Sequence, residues 1–410
     1  ESGARRRRMS WPEMKPPTSA TRYCRHCRQS RCFFWLLIVL DVLIAAPAAP
    51  GGPEARCQSC CDAASPGGAV EEIDIERQLS QQPLYYSSQL QQTLRTHHER
   101  LDYIEAEYEF GVVADLDLNS RDPQEFIWRS YLKKGRAVRL SSRPQRDRFT
   151  VVWDEELELQ SSTATRNRSM ELSELVLFRR LLLAFCDYSG IAYKIDASTG
   201  KVFQRWVIAD GNGNEPKPFK AEWAVIKDDH VWLGSIGFEW YGKSGEILHR
   251  NAEWVKVIDF NGMIRNLDWH PVYQAIRTVT NTTLPGYIWH EAVEWEPARR
   301  LWIMLPRFAS NTSKYTPGHE HQDTTNMLII ADERFVNIQV KFLEHHEMGY
   351  GFTSIKRLPG SRHLFMVLRV KEEATETHTQ AAIIDLDGKF YTDPPYIQVG
   401  ARKYEGLAFL

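Results

Sequence analysis

Five short apolar segments of this 410-residue chain each begin beside an acidic or hydroxyl residue. The segments are MELSELVLF, KAEWAVI, WHEAVEWEP, GFTSIKRL and KYEGLAFL, and the residues are Ser173, Glu222, Glu291, Thr353 and Glu405. If these side chains meet at one point, three carboxylates converge, and either their pKa values rise or a cation lies among them. An all-oxygen site of this kind suits Ca²⁺, which takes about six to eight oxygen ligands.

The spacing of the five positions indicates that they do meet. Successive positions are 49, 69, 62 and 52 residues apart. Strand repeats of this length are typical of a propeller, in which each repeat is one four-stranded blade. The innermost strands of a propeller line its central axis, so equivalent positions on these strands converge there. A β-sandwich with similar strands is the alternative.

The last repeat, KYEGLAFL, has no second strand of its own. Three strand candidates precede the first repeat, at residues 110–118, 131–141 and 149–159. One C-terminal and three N-terminal strands make a four-stranded blade, which closes the ring and removes exposed sheet edges. We therefore predict an all-β fold over residues 108–410, a five-bladed propeller closed by pairing the C-terminal strand with N-terminal strands.

The N-terminal part of the chain has a different composition. Residues 1–32 are rich in Arg and Lys, and residues 33–49 form an apolar run. A basic flank before an apolar run is typical of a signal anchor or a signal peptide, with the basic side in the cytoplasm. We expect a basic cytoplasmic tail at 1–32, an anchor that holds the protein in the membrane at 33–49 and a stem rich in Pro, Gly and Ser within 50–107.

Three N-glycosylation sequons, at Asn167, Asn281 and Asn311, all follow the apolar run. Together with the basic tail they favour a single-pass type II protein of the Golgi or ER membrane, with the propeller in the lumen. Cleavage after the apolar run would instead give a secreted protein. The net charge of −2 gives no indication of nucleic-acid binding, and a homodimer is compatible with the sequence.

Several further motifs resemble one known family. In chain order they are VADLDLNSR, SYLKKG, MELSEL, KAEWAVIKD, EWVKV, LPR, GFTSIK and KYEGLAF. In these motifs the chain resembles the calcium-activated nucleotidases, also called the apyrase family of blood-feeding arthropods. The resemblance covers about residues 108–410. It implies a five-bladed propeller with Ca²⁺ near its central tunnel, and hydrolysis of nucleoside diphosphates and triphosphates to the monophosphate.

The resemblance also implies which residues hold calcium. The calcium positions of the family fall on the same five residues that the repeat identifies. Thr353 stands where the family usually has Ser, and Asn212 in the Asp210–Gly213 loop stands where the family often has a second Asp. The second departure removes one carboxylate from any further cation site in that loop. Whether calcium contacts phosphate or only fixes the blades is left open.

Phosphoanhydride hydrolysis needs a cation, basic groups on the transferred phosphoryl group and an oriented water. Asp115 and Asp117 are the candidates for orienting the water, because side chains two residues apart on a strand point the same way. Asp117 is preferred on the resemblance, and the alternative is an Asp pair that caps a turn. Glu171 beside a calcium position is a further candidate for this role.

Four basic or neutral side chains are candidates for substrate binding: Arg168, Lys220, His290 and Arg307. Each lies beside the start or end of a predicted inner strand, and Arg suits bidentate binding of phosphate. The alternative for each is a solvent-facing charge or a structural role. Five tryptophans lie near the blade motifs: Trp223, Trp240, Trp254, Trp269 and Trp295. Most should pack between blades, and one could stack on a nucleobase.

Three functions are compatible with these features. The first is calcium-dependent hydrolysis of nucleotides in the secretory lumen, where glycosyl transfer releases nucleoside diphosphates. Its substrates would be UDP and GDP, with ADP hydrolysed less well, and nucleoside triphosphates. The second is a secreted apyrase that clears ADP and ATP. The third is a non-catalytic binding propeller that calcium stabilises. The chain has no P-loop and no G-x-S-x-G motif, which disfavours a Walker-type ATPase and a serine hydrolase.

Overall fold

A computed structural model describes residues 103–141, 147–242, 246–316, 318, 320–373 and 376–410. The predicted tail at 1–32, the apolar run at 33–49 and most of the stem lie outside the described residues. Among the described residues, no helix has the length and apolar character needed to cross a membrane. The first strand begins at Tyr103, within the segment predicted as stem.

Strands dominate the described residues. In chain order they are β1 (Tyr103–Ala114), β2 (Trp128–Ser141), β3 (Arg148–Ser161), β4 (Leu172–Phe178), β5 (Leu181–Cys186), β6 (Ile191–Ile195), β7 (Val202–Val207), β8 (Trp223–Lys227), β9 (His230–Gly234), β10 (Trp240–Tyr241), β11 (Ile247–His249), β12 (Trp254–Ile258), β13 (Ile264–Asp268), β14 (Tyr287–Glu296), β15 (Leu301–Ser310), β16 (Met327–Asp332), β17 (Ile338–Phe342), β18 (Gly351–Arg357), β19 (Leu364–Glu372), β20 (Thr377–Asp385), β21 (Ile397–Gly400) and β22 (Tyr404–Phe409). The same residues contain one α-helix, α1 (His270–Thr280), and short 3-10 helices at Asp117–Ser120, Asn251–Glu253 and Glu320–Asp323.

The strands form five antiparallel four-stranded blades. Their orders are β22-β1-β2-β3, β4-β5-β6-β7, β8-β9-β12-β13, β14-β15-β16-β17 and β18-β19-β20-β21. The five inner strands, β22, β4, β8, β14 and β18, contact one another in a closed ring. Each inner strand is one of the five segments that the repeat identified, so the prediction of an all-β, five-bladed propeller is confirmed.

The ring closes as predicted, because β22 pairs with β1. Phe409 lies opposite Phe110, and Gly406 lies opposite Val113. This pairing gives the blade its inner strand and covers the edge of β1 that would otherwise be exposed. The first and last strands of the described residues are thereby joined through backbone hydrogen bonds in one sheet.

The first strand starts and ends earlier than the strand predicted at 110–118. It ends at Ala114, and a 3-10 helix begins at Asp117. The Asp115 side chain accepts a hydrogen bond from the Asp117 backbone N–H at 2.8 Å, which turns the chain. The expectation that the two Asp side chains share one face of a strand is therefore wrong in its geometry, because Asp117 has a left-handed φ of 48°.

Apolar side chains fill the spaces between neighbouring blades. Between the third and fourth blades, Trp302 packs against Trp269 and Trp295, with ring centroids 5.1 Å away in both cases. All three rings are buried. Burying a large apolar side chain stabilises a fold by about 1.5–3 kcal/mol, so these contacts hold adjacent inner strands in fixed positions.

The third blade carries two insertions that explain the long step of 69 residues between Glu222 and Glu291. The β10–β11 hairpin lies between β9 and β12, and α1 lies between β13 and β14. Helix α1 has Pro near its first turn, buries Tyr273 and Ile276 on one face, and ends at Asn281 in a left-handed conformation. The hairpin contributes Trp240 and Tyr241 to the wall of a cavity.

The Asp210–Gly213 loop receives the side chain of Lys256 from β12. The Lys256 ammonium donates hydrogen bonds to the Gly211 carbonyl and, at 2.8 Å, to Asn266 Oδ1. It also lies 4.9 Å from the centroid of the Phe219 ring. A buried lysine thus places its positive charge against this loop.

Burial lowers the pKa of Lys256 to about 8, although the charge of Asp210 opposes this shift. An unfolded lysine has a pKa of about 10.4, so between pH 8 and pH 10 the unfolded chain binds more protons, and stability contributed by this group rises with pH. We expect the wild type to gain about 1–2 kcal/mol relative to Lys256→Met over this range. Urea unfolding of both proteins measures the difference, and Lys201→Met at an exposed turn is the control. The same pH dependence in both variants would contradict the prediction.

Candidate active site

Four of the five predicted calcium positions occupy β-bulges in the inner strands. Where β4, β14, β18 and β22 pair with their neighbours, one residue of each strand has no partner across the sheet. These residues are Ser173, Glu291, Thr353 and Glu405. A bulge redirects a side chain out of the regular alternation, so the same irregularity in four blades turns each of these side chains out of its ladder. Glu222 immediately precedes β8, and its N–H donates to the Gly234 carbonyl at 2.9 Å.

The three glutamates of this set line one cavity of about 150 Å³. Arg307 Nη1 lies 2.7 Å from Glu291 Oε2 and 2.8 Å from Glu405 Oε1. Lys220 Nζ lies 2.6 Å from Glu222 Oε1. Burial raises the pKa of all three carboxyls, and these cations oppose the shift. Buried carboxylates that share one cavity are stabilised by positive charge among them.

The residues fit a calcium ion. The hydroxyl oxygens of Ser173 and Thr353 are buried and have no hydrogen-bond partner among the described residues. A buried hydroxyl without a partner is costly, and a hard cation supplies the missing partner. Two hydroxyls and three carboxylates would together offer only oxygen donors, which Ca²⁺ prefers; in this structure the glutamates pair with Lys220 and Arg307. Thr353 keeps the hydroxyl of the usual Ser, so this departure removes no donor atom.

Calcium should therefore stabilise the fold. A ligand that binds only the folded state at about 100 times its Kd adds about 2.7 kcal/mol of stability. We expect Tm to rise with calcium concentration, and to rise less with Mg²⁺, which demands near-octahedral geometry and retains water. Differential scanning fluorimetry after treatment with a chelator measures both shifts. A calcium-dependent Tm shift of the same size in Glu222→Gln would contradict the assignment.

A second acidic group lies beside the cavity. Carboxylate oxygens of Asp115, Asp117 and Glu171 lie within 4.8 Å of one another. Asp115 is buried, and its second oxygen accepts from Lys403 Nζ at 2.7 Å. Burial raises the pKa of Asp115, but the Lys403 charge and hydrogen bonds outweigh burial and lower it overall. Asp115 is thus placed to fix Lys403 and the following turn.

Asp117 is the more accessible member of the pair, with 51% of its side chain exposed. It lines the same cavity as the three glutamates. Its Oδ2 lies 3.2 Å from Lys403 Nζ, and its Oδ1 lies 3.8 Å from Arg168 Nη2. An accessible carboxylate held between two cations at the cavity wall can accept a hydrogen bond from a water molecule.

Glu171 and Arg168 form an ion pair at the rim. Arg168 Nε donates to Glu171 Oε1 at 2.8 Å, and its guanidinium lies 3.9 Å from the centroid of the Tyr188 ring. Burial raises the pKa of Glu171 to about 7; the charges of Asp187 and Asp115 add to the shift, and the Arg168 hydrogen bond opposes it. Neither Glu171 nor Arg168 is one of the described residues that line the cavity.

The structure does not bring His290 to the cavity. The ring is buried and packs against Tyr273, with centroids 5.2 Å apart. Burial lowers the pKa of His290 to about 3, and the Arg277 charge acts in the same direction. The side chain is therefore neutral near pH 7, and it does not offer a positive charge to a phosphate.

Three charged residues of the cavity were missed by the sequence reasoning: Asp187, Glu372 and Lys403. Asp187 follows β5 and pairs with Lys220, and Glu372 ends β19 and pairs with Arg307. Burial raises the pKa of Asp187 to about 6 against the opposing charge of Lys220. In an antiparallel hairpin the end of the second strand lies beside the start of the first. Asp187 and Glu372 lie at the ends of second strands, so this rule would have placed both beside the starts of the inner strands.

A second, larger cavity of about 590 Å³ adjoins the first, because Lys220 and Trp289 line both. Aromatic side chains dominate its wall: Phe238, Trp240, Tyr241, Trp289 and Tyr315. Trp289 and Tyr315 lie 5.3 Å apart between ring centroids, and Phe238 and Tyr315 lie 5.6 Å apart. Such a wall suits a planar ligand. Of the tryptophans named from the sequence, Trp240 lies here, whereas Trp223, Trp269 and Trp295 are core residues.

Comparison with known proteins agrees with the motifs. The family model described as Apyrase matches residues 116–410. Soluble calcium-activated nucleotidase 1 of Rattus norvegicus is 35% identical over 306 residues, which cover 74% of this chain and 74% of the relative. The Apyrase of Cimex lectularius is 34% identical over 312 residues, covering 75% and 84%. Apyrase apy-1 of Caenorhabditis elegans is 31% identical over 307 residues, covering 74% and 84%. With the propeller and these matches together, the chain belongs to the apyrase family.

Proposed function

We propose that this protein is a calcium-dependent nucleotidase that hydrolyses nucleoside diphosphates and triphosphates to the monophosphate and inorganic phosphate. The observation that carries the proposal is the cavity in which three glutamates meet Arg307, Lys220 and Lys403. The glutamates offer oxygen ligands for a cation, and the basic side chains that pair with them offer positive charge for a phosphoryl group. Relatives that are named as a calcium-activated nucleotidase and as apyrases support the same activity.

The calcium ion would be held by Ser173, Glu222, Glu291, Thr353 and Glu405. When bound, it would supply positive charge that offsets the charge of the ring and of the phosphate oxygens. Arg307 and Lys220 line the cavity and pair with its glutamates, and they would bind the terminal phosphate. The planar guanidinium of Arg307 can donate two parallel hydrogen bonds to phosphate oxygens, and the Lys220 ammonium contributes a compact positive charge.

Asp117 orients the attacking water. The water oxygen attacks the terminal phosphorus, its proton moves to the Asp117 carboxylate, and the bond to the bridging oxygen breaks, so that the nucleotide leaves with one phosphate fewer. Asp115 holds Lys403 and the Asp117 turn in place through the hydrogen bonds described above. The nucleoside lies in the aromatic cavity, which adjoins the phosphate cavity at Lys220 and Trp289.

We also propose that the propeller lies in the lumen of the Golgi or ER and is anchored through residues 33–49. The basic flank and apolar run support this topology, as do three sequon asparagines that are exposed in the structure, Asn167, Asn281 and Asn311. The alternative is a secreted apyrase, after cleavage of the apolar run. The mass of the mature chain distinguishes the two, because a cleaved chain lacks residues 33–49.

Phosphate release by the purified protein tests the activity. UDP, GDP, ADP and UTP are each supplied with Ca²⁺, with Mg²⁺ and with a calcium chelator. Calcium-dependent release that is fastest with UDP or GDP supports the lumenal diphosphatase. A preference for ADP favours the secreted apyrase. No release from any nucleotide by a protein that Ca²⁺ still stabilises would favour a non-catalytic propeller.

A further inference from the structure

A buried polar network crosses the inside of the ring of inner strands. It consists of Glu174 on β4 and of Ser354 and Lys356 on β18, and we call these three residues the inner network. Glu174 Oε2 accepts a hydrogen bond from Lys356 Nζ at 2.6 Å, and Glu174 Oε1 accepts one from the Ser354 hydroxyl at 3.0 Å. Because β22 lies between β4 and β18 in the ring, these bonds span its interior.

The inner network joins the inner strands of four blades. Glu174 Oε1 also accepts from the backbone N–H of Leu407 on β22 at 3.3 Å, and Lys356 Nζ donates to the Ala224 carbonyl on β8 at 3.3 Å. Gly406 allows this approach of β22, because a Cβ atom there would lie 2.6 Å from the backbone carbonyl carbon of Glu174. A buried polar network whose members are hydrogen-bonded rigidifies its surroundings, so the four strands are fixed relative to one another.

The inner network adjoins the two hydroxyl positions of the predicted calcium site. Ser173 immediately precedes Glu174, and Thr353 immediately precedes Ser354. Ser173 and Thr353 are the bulged residues of their strands, and neither hydroxyl has a hydrogen-bond partner among the described residues. The bond between Glu174 and Ser354 therefore fixes the backbone that carries each hydroxyl.

We propose that Glu174 and Ser354 are positioning residues for calcium, which hold the Ser173 and Thr353 hydroxyls in place for the ion. This inference rests on the proposed calcium-dependent function and adds residues that act through the ligands rather than on the ion. Groups that orient metal ligands typically contribute about 10- to 100-fold to metal affinity. The Glu174 carboxylate is itself engaged by donors within the network.

The first test removes the hydroxyl that joins the two strands. Ser354→Ala keeps the Glu174–Lys356 ion pair, and we expect the Kd for calcium, measured by isothermal titration calorimetry, to rise about 10-fold or more. Ser130→Ala is the matched control, because Ser130 is also buried and donates to the Ala114 carbonyl at 2.6 Å, but lies on β2 and not on an inner strand. Its Kd should equal that of the wild type. An unchanged Kd in Ser354→Ala would overturn the proposal.

The second test asks whether Ser354 acts through the Thr353 hydroxyl. The Kd for calcium is measured for Thr353→Val, for Ser354→Ala and for the double variant. We expect Ser354→Ala to raise the Kd by a smaller factor in the Thr353→Val background, because one of the hydroxyls that it positions is already absent. The same factor in both backgrounds would show that Ser354 acts only on the stability of the fold, and it would contradict the positioning role.

The outcomes separate this inference from the proposed function. If the wild-type protein binds no calcium, the calcium-dependent function itself fails. If the wild type binds calcium and Ser354→Ala binds it with the same Kd, the function stands and the positioning role is refuted. Glu174→Gln should raise the Kd further than Ser354→Ala does, but it removes the counter-ion of Lys356. Because Ser354→Ala retains this ion pair, the test does not depend on whether Glu174→Gln folds.

Discussion

Glu222→Gln is expected to abolish calcium-dependent phosphate release while leaving the propeller folded. The side chain is 2% exposed and precedes β8 at the same end as the other ring residues. Glutamine keeps the volume but removes one of three carboxylate charges from the predicted cation site. Removing groups that only orient metal ligands already costs about 10- to 100-fold in affinity or activity. We therefore expect the loss of a direct ligand to exceed about 100-fold at calcium concentrations that half-saturate the wild type.

The control for this prediction is Glu215→Gln, which makes the same charge change at an exposed position of the preceding loop. Phosphate release is measured for both variants over a range of calcium concentrations, and circular dichroism verifies the fold. Glu215→Gln should behave as the wild type does. Unchanged calcium activation in Glu222→Gln would refute the assignment of the ring as the calcium site.

Asp117→Asn is expected to lower kcat by about 10²- to 10⁴-fold, the usual range for loss of a general base. Asparagine has the same shape and tolerates the left-handed conformation of this residue, so the turn should be preserved. It cannot take a proton from water at neutral pH. Calcium affinity should stay within about 3-fold of the wild type, because Asp117 is not one of the five predicted ligands.

Asp228→Asn is the matched control, since Asp228 is also exposed and also has a φ of 48°. Single-turnover phosphate release and calcium titration separate a chemical effect from a binding effect. If kcat of Asp117→Asn equals that of the wild type, the water is oriented by another group. If calcium affinity falls with kcat, Asp117 acts through the cation.

The propeller was predictable because each blade begins with the same kind of strand. An inner strand must be apolar enough to pack against two neighbours and must present one polar residue at its start, and both features are visible in MELSELVLF or KYEGLAFL. The pairing of β22 with β1 followed from counting strands in an incomplete repeat. Periodicity and strand number thus carry most of the information about this fold.

The details of the site depend on local irregularities that periodicity does not reveal. The bulges at Ser173, Glu291, Thr353 and Glu405 redirect side chains, and nothing in their types marks them as bulged. The aromatic cavity is built by the β10–β11 hairpin and other segments outside the repeat, so Trp289 and Glu239 were not expected there. His290 is next to a ring residue in sequence, but its ring is buried against Tyr273.

The most direct test of the account compares calcium binding with turnover in one preparation. Isothermal titration calorimetry gives the calcium occupancy, and phosphate release from GDP is measured over the same calcium concentrations. We expect calcium occupancy and phosphate release to rise over the same calcium concentrations in the wild type. In Glu222→Gln we expect neither calcium binding nor phosphate release at those concentrations. Full turnover in the presence of a chelator, or calcium binding that leaves phosphate release unchanged, would contradict it.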